Sequence, residues 1–183
     1  MQYASTDLKY EHDSILFALK VLERVSELAL AGRHIDPEDV REILDFLHLF
    51  ADQCHHGKEE CFLFPAMEEA GIPYENGPLG QMLLEHDEGR RHIAAMEAAL
   101  KEETLDNRTF SEAARKYILL VHSHIHKENQ ILFPMGDERI PAEEQESLIN
   151  AQDKFENEVM GSGAHQRLYE LLQALQRKYL KKY

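Results

Sequence analysis

The sequence predicts an all-α protein: an antiparallel up-down-up-down four-helix bundle with one or two extra C-terminal helices. Three observations carry that expectation. Apolar residues recur at helical spacing, as in Ile15, Leu16, Leu19, Leu22 and Val25, then Ile43, Phe46, Leu47 and Phe50. Nothing reads as a strand. The breaks between periodic stretches are short and carry Gly, Pro and Asn, which makes successive helices antiparallel neighbours.

Helix one is expected over roughly 6–31, closed by Gly32. Asp36-Pro37 is an N-cap followed by a proline in the first turn, and it opens a second helix over roughly 37–69. Gly71-Ile72-Pro73 through Gly80 separates it from a third, roughly 78–103, and Asp106-Asn107 precedes a fourth, roughly 109–135. After Gly136 to Pro141 come two shorter helices, near 141–160 and 165–181, parted by Gly161-Ser162-Gly163. The basic end, Arg177-Lys178 to Lys181-Lys182, suits a helix C-terminus. Pro65 and Pro134 are expected to kink or end helices two and four.

Composition removes several classes of function. Lys and Arg total 20 against 34 Asp and Glu, a net charge of −14, which argues against nucleic acid and anionic membranes because both demand clustered cations. The polar N-terminus and the lack of an apolar run near the roughly 18 residues of a membrane span give the expectation of a cytoplasmic protein. Cys54 and Cys61 lie in one helix about 10 Å apart, beyond the roughly 7 Å reach of a disulfide. They read as reduced, mostly buried thiols. The excess is in histidine, with eleven in 183 residues.

Those histidines fall into an internal repeat. HHGKEECFLFP (His55 to Pro65) aligns without gaps to HIHKENQILFP (His124 to Pro134), sharing His, Lys, Glu, Leu, Phe and Pro. The same tripeptide precedes each, Glu11-His12-Asp13 and Glu85-His86-Asp87. In both motifs a Glu follows His four residues on, His55 with Glu59 and His124 with Glu128, which puts each pair on one helix face. Heights agree as well. From His12 to the end of helix one is about 28 Å and from Pro37 up to His55 about 27 Å at 1.5 Å per residue. The second hairpin gives about 25 and 22 Å. Six side chains from four helices therefore meet in one layer. A lone helical His is usually a core or surface residue, and a single His/Glu pair a solvated face. The conjunction of both pairs, both upstream histidines, matched heights and duplication points to a transition metal, for which imidazole and carboxylate are the usual vocabulary.

Over roughly residues 6–135 the chain resembles the hemerythrin-like (HHE cation-binding) domains, through EHD, CHHGKEE with LFP, GPLGQMLLEHDEGR and HIHKENQILFP. The resemblance implies a four-helix bundle over 1–140 holding a non-haem, oxo- or hydroxo-bridged di-iron centre. Its ligands would be His12, His55, Glu59, His86, His124 and Glu128, with Glu59 and Glu128 bridging. Hard carboxylates with imidazoles suit iron best and also accommodate manganese or zinc. Residues 141–183 would be a helical extension on the bundle or on a second subunit of a homodimer. Two departures bear on function. The fifth His of oxygen carriers, four residues after the third-helix His, is Arg90 here, and their His-x-x-x-x-Asp is His124-x-x-x-Glu128. The set is similar to the four-His, two-Glu pattern of bacterial iron–sulfur-repair proteins, without their short cysteine-bearing N-terminal domain. Two histidines per iron would leave one open position on each. That implies binding of O2, NO or peroxide in sensing, stress response or iron–sulfur repair. An oxidoreductase with an organic substrate, iron storage and a structural metal site are the alternatives.

Neighbouring residues carry lesser expectations. Glu11, Asp13, Glu85 and Asp87 are read either as acceptors for ligand imidazoles or as helix-dipole partners. His48 and Tyr117, each seven residues before a ligand His, are expected on the metal stripe as hydrogen-bonded core residues. His56, about 100° round from His55, reads as a helix-interface or outer residue. His34, His92 and His165 read as loop or surface, and His122 and His126 as a face off the ligand stripe. Phe62, Phe64, Ile131, Leu132 and Phe133 are expected to be core.

Overall fold

A computed structural model describes residues 2–101, 104–161 and 163–180. Glu103, Ser162 and Lys181-Lys182 lie outside that set, as does the side chain of His165.

The chain is an all-α bundle with additional helices. Helix α1 spans Ser5–Leu30 and buries Leu8, His12, Ile15, Leu19, Leu22 and Val25 on one stripe. Helix α2 is continuous over 37–69 but changes register along its length. Pro37–Phe46 is α-helical, Leu47–His56 and Glu59–Leu63 are π-helical, and Phe64–Glu69 is α-helical again. Its cap is the expected one: Glu38 N donates to the Asp36 side chain at 3.1 Å. Helix α3 is Pro78–Ala99. Helix α4 runs over 107–139, with a π-helical turn at Glu128–Leu132 between Asn107–Lys127 and Phe133–Arg139. Asp106 caps it by accepting from Thr109 N at 3.1 Å.

Three local expectations need correction. Helix α3 stops at Ala99, and a two-residue antiparallel ladder, β1 (Leu100–Lys101) on β2 (Thr104–Leu105), stands between it and α4. Neither proline ends its helix. Pro65 and Pro134 sit at the junction where a π turn reverts to α-helix, where a missing N–H costs least, and each helix continues to Glu69 and Arg139. Ile131 is exposed and Phe62 only half-buried, whereas Phe64, Leu132 and Phe133 are core.

The buried apolar residues form two separate clusters, and the histidine–glutamate layer divides them on all four helices. On α1, Leu8 belongs to one cluster and Ile15 to the other, with His12 between; on α3 the flanking residues are Met82 and Ile93, around His86. On α2 they are Cys54 and Leu63, and on α4 Ile125 and Leu132. A polar slab is thus sealed between two dry plugs.

Helices α5 (Ala142–Met160) and α6 (Ala164–Tyr179) lie on the bundle. Phe155 meets Phe62 edge-on at 5.4 Å, Glu156 pairs with Lys58 at 2.6 Å, and Gln145 accepts from Ala4 N at 2.9 Å. Tyr179 and Lys178 both reach Asp39. Among the described residues no helix is long and apolar enough to cross a membrane.

Candidate metal centre

The six predicted side chains meet in one layer, each 3% exposed or less. His12 Nε2 lies 2.9 Å from His55 Nε2, and His86 Nε2 lies 3.1 Å from His124 Nε2. Glu59 stands between the pairs, 3.5 Å from His55 and 3.4 Å from His86. Glu128 mirrors it, 3.2 Å from both His12 and His124. One end of each glutamate thus faces each histidine pair.

The outer nitrogens explain why the inner ones converge. His55 Nδ1 donates to Glu11 at 2.8 Å and His124 Nδ1 to Glu85 at 3.0 Å. His86 Nδ1 donates to Glu60 at 2.7 Å, and His12 Nδ1 to the Asn129 side-chain oxygen at 3.0 Å. An acceptor at Nδ1 fixes the proton there and leaves the Nε2 lone pair pointing inward. The duplicated motif is reproduced in space: Lys58 binds Glu11 and Lys127 binds Glu85. Phe133 stacks on His12 with centroids 5.6 Å apart, and Phe64 on His86 at 5.9 Å.

Glu11 and Glu85 therefore act as imidazole acceptors. The helix-dipole reading fails, because they lie well inside α1 and α3; Asp13 and Asp87 are exposed. Glu60 and Asn129, the other two acceptors, were not anticipated. They occupy equivalent places in the repeat, five residues after His55 and His124, and that equivalence was the available signal.

Electrostatics within the slab are set by unbonded carboxylates facing imidazoles. All four carboxylate oxygens of Glu59 and Glu128 are buried without a hydrogen bond. Burial and the charge of Glu128 push the Glu59 carboxyl up, whereas His124 and His12 overcome burial and hold Glu128 down. Burial lowers His12, His86 and His124, but the neighbouring glutamates outweigh it and all three end up raised. His55 ends well below its ordinary value through burial and the proximity of His12. Lone pairs facing each other at about 3 Å with anionic oxygens alongside are satisfied by a shared cation. With metal–nitrogen bonds of about 2.1 Å, ligands at right angles stand about 3.0 Å apart and tetrahedral ones about 3.4 Å. The 2.9 and 3.1 Å between paired nitrogens and the 3.2–3.5 Å from those nitrogens to the glutamate oxygens span both values, so the layer has the spacing of ligands around shared ions. Two overlapping groups meet the spacing of a metal site: His12, His55, Glu59 and Glu128, and His56, Glu59, His86 and His124.

The second group contains a residue that the spacing argument left out. His56 is buried, its ring parallel to His86 at a centroid distance of 3.9 Å and an angle of 11°. Other side chains were misjudged in the opposite sense. His48 is half-exposed and bonded to Gln53 at 3.1 Å, off the stripe altogether. Tyr117 is fully buried as expected, but its hydroxyl has no hydrogen-bond partner. Cys54 is buried and Cys61 exposed. His34, His122 and His126 are at the surface, with His92 half-buried. Arg90 turns outward to Asp52, Glu60 and Asp87 at 2.6–3.0 Å.

Residues 4–136 match the family description of the hemerythrin HHE cation-binding domain. No curated protein and no solved structure matches the chain.

Proposed function

The chain belongs to the hemerythrin HHE cation-binding domain family, a membership that implies a metal centre, and from it we propose a non-haem di-iron protein that binds O2, NO or peroxide. The observation that carries this reading is the pair of buried, unbonded glutamates, each placed between two histidine pairs. His12 and His55 would hold one ion, His86 and His124 the other, and Glu59 and Glu128 would bridge them. Residues 1–140 would form the metal-binding unit and 141–183 its helical extension. Iron is favoured by the hard oxygen donors set beside imidazoles.

When bound, the ions would supply redox capacity and an open coordination position for a small ligand. The chain's own part is orientation and exclusion of water. Glu11, Glu85, Glu60 and Asn129 lock the imidazoles, while Leu63, Met82 and Leu132 on one side and Ile15 and Cys54 on the other keep the slab dry. Burial of all six groups to 3% or less favours a diatomic or peroxide over an organic substrate, which would need a cavity of its own size. Sensing, stress response and iron–sulfur repair are the roles this reading fits.

Metal analysis with a visible spectrum of aerobically purified protein tests it. Two irons per chain with charge-transfer bands that shift on adding azide or NO are expected. One zinc and a colourless protein would end the reading. Glu59→Ala and Glu128→Ala should each lose the paired ions.

A further inference from the structure

We infer that Asn129 makes the two metal positions electronically unequal, so that the first electron given to a ferric pair rests on the ion held by His12 and His55. The ion held by His86 and His124 then stays ferric. The inference rests on the dinuclear reading above and deepens it. It names which ion is reduced first and the side chain that decides it.

Four acceptors surround the layer, and the duplication is broken at one of them. Within each hairpin the first helix serves the second: Glu11 accepts from His55 at 2.8 Å and Glu85 from His124 at 3.0 Å. Between hairpins the second helix of each serves the first helix of the other: Glu60 accepts from His86 at 2.7 Å and Asn129 from His12 at 3.0 Å. Glu60 and Asn129 are both half-buried and hold equivalent places in the repeat. Three of these acceptors are carboxylates; Asn129 is a neutral amide. His12 and His124 make bonds of the same 3.0 Å, so charge rather than distance sets Asn129 apart.

The break extends to a second position. Arg90, four residues after His86, holds Glu60 at 2.6 Å, whereas four residues after His12 stands Leu16, packed against the core. One cross-hairpin contact is thus a carboxylate with its own cation, and the other a neutral amide with an apolar residue in the cation's place. Lys58 and Lys127 likewise hold Glu11 and Glu85, so all three carboxylates stay ionised. An ionised acceptor draws the Nδ1 proton toward itself and makes Nε2 a stronger donor to a metal, which favours ferric iron; an amide oxygen does so less. Carboxylates stand behind both His86 and His124, but behind only His55 of the other pair. The shared glutamates leave that difference in place. Glu59 lies 3.5 and 3.4 Å from the two pairs, and Glu128 lies 3.2 Å from both. The ion at His12 and His55 is therefore the better seat for an added electron.

Iron-loaded wild type, Asn129→Asp and Glu60→Gln test this, since each substitution changes charge with almost no change of shape. Iron per chain and the midpoint potentials of the two one-electron steps are the readouts, from a titration with dithionite as the reductant. Mössbauer spectra count the ferrous ions after each step. Wild type should bind two irons and be reduced in two separated steps. Asn129→Asp should lower the first potential, and Glu60→Gln should raise the second. Each variant then narrows the gap by about 60 mV, a tenfold change in the preference for ferric iron. A role confined to holding the rings would leave both potentials in place. Should one variant lose an ion, the other still decides. A gap that widens or stays unchanged in both variants, with two irons bound, would overturn the inference alone. Fewer than two irons in wild type would overturn the dinuclear reading, and the inference with it.

Discussion

Phe155 of α5 lies directly over Gly57 of α2: a Cβ on residue 57 would stand 2.8 Å from the ring. The equivalent residue of the second hairpin is His126, which is exposed and covered by no such ring. Helix α5 thus docks on the first motif through a glycine that the second motif lacks. Gly57→His should overpack that contact at a cost of about 1–3 kcal/mol. Loss of amide-exchange protection confined to α5, with the bundle unchanged, is the expected pattern. Unchanged protection of α5 would mean that the glycine is incidental.

The same docking separates two lysines that the sequence makes equivalent. Lys58 is 3% exposed and bridges Glu11 and Glu156, while Lys127 is 33% exposed and pairs with Glu85. Removing one member of a buried pair leaves an uncompensated charge and costs about 3–5 kcal/mol. Lys127 reaches the buried Glu85 from a half-exposed position, where water screens its charge and can replace it, so its loss should cost less, nearer the roughly 1 kcal/mol of surface pairs. Lys58→Met should therefore lower the urea midpoint of the metal-free chain far more than Lys127→Met. Equal losses would show that α5 does not enclose Glu11 and Lys58 in solution.

Height along the bundle was legible in the sequence, and direction around each helix only in part. A π-helical stretch rises only a few tenths of an ångström less per residue than an α-helix, roughly half a turn over the residues that precede His55, so counting residues from each turn put His12, His55, His86 and His124 at one level. Azimuth depends on the hydrogen-bond ladder, which the sequence does not display. His48 precedes His55, and Tyr117 precedes His124, by seven residues. Tyr117 sits in regular α-helix and stays in phase, fully buried. His48 is separated from His55 by a π-helical stretch, where about 80° per residue carries seven residues to the opposite side. The same departure brings His56 in. Glu60 and Asn129 were legible from the repeat alone, since both can accept a hydrogen bond and they lie five residues after His55 and His124.

The two thiols should differ sharply. Burial pushes the Cys54 thiol up to about 12 from its ordinary 9, while Cys61 is exposed. The thiolate is the reactive form, so near neutral pH one equivalent of a disulfide reagent should react quickly and the second only after unfolding. The sign for stability follows. Below pH 9 the proton stays on in both states. Between 9 and 12 the unfolded chain releases it and the folded chain does not, so stability falls as pH rises through that window. Replacing Cys54 with Ala should flatten that alkaline decline; an unchanged slope would assign the decline to other groups.

Glu59 sets stability against metal binding. Its carboxyl is wholly buried, has no hydrogen bond and faces the charge of Glu128, so the metal-free fold carries it at a cost. A buried carboxyl without a hydrogen bond carries its desolvation cost uncompensated, and an apolar side chain of similar size removes that cost. Glu59→Leu should therefore raise the melting temperature of the metal-free protein. It should also remove the further rise that iron gives wild type, because a cation binding only the folded state stabilises in proportion to its affinity. Calorimetry with and without iron separates the two effects. If Glu59→Leu melted below wild type in the metal-free state, the glutamate would be supporting the fold, and the two unbonded oxygens would not mark a place kept for a cation.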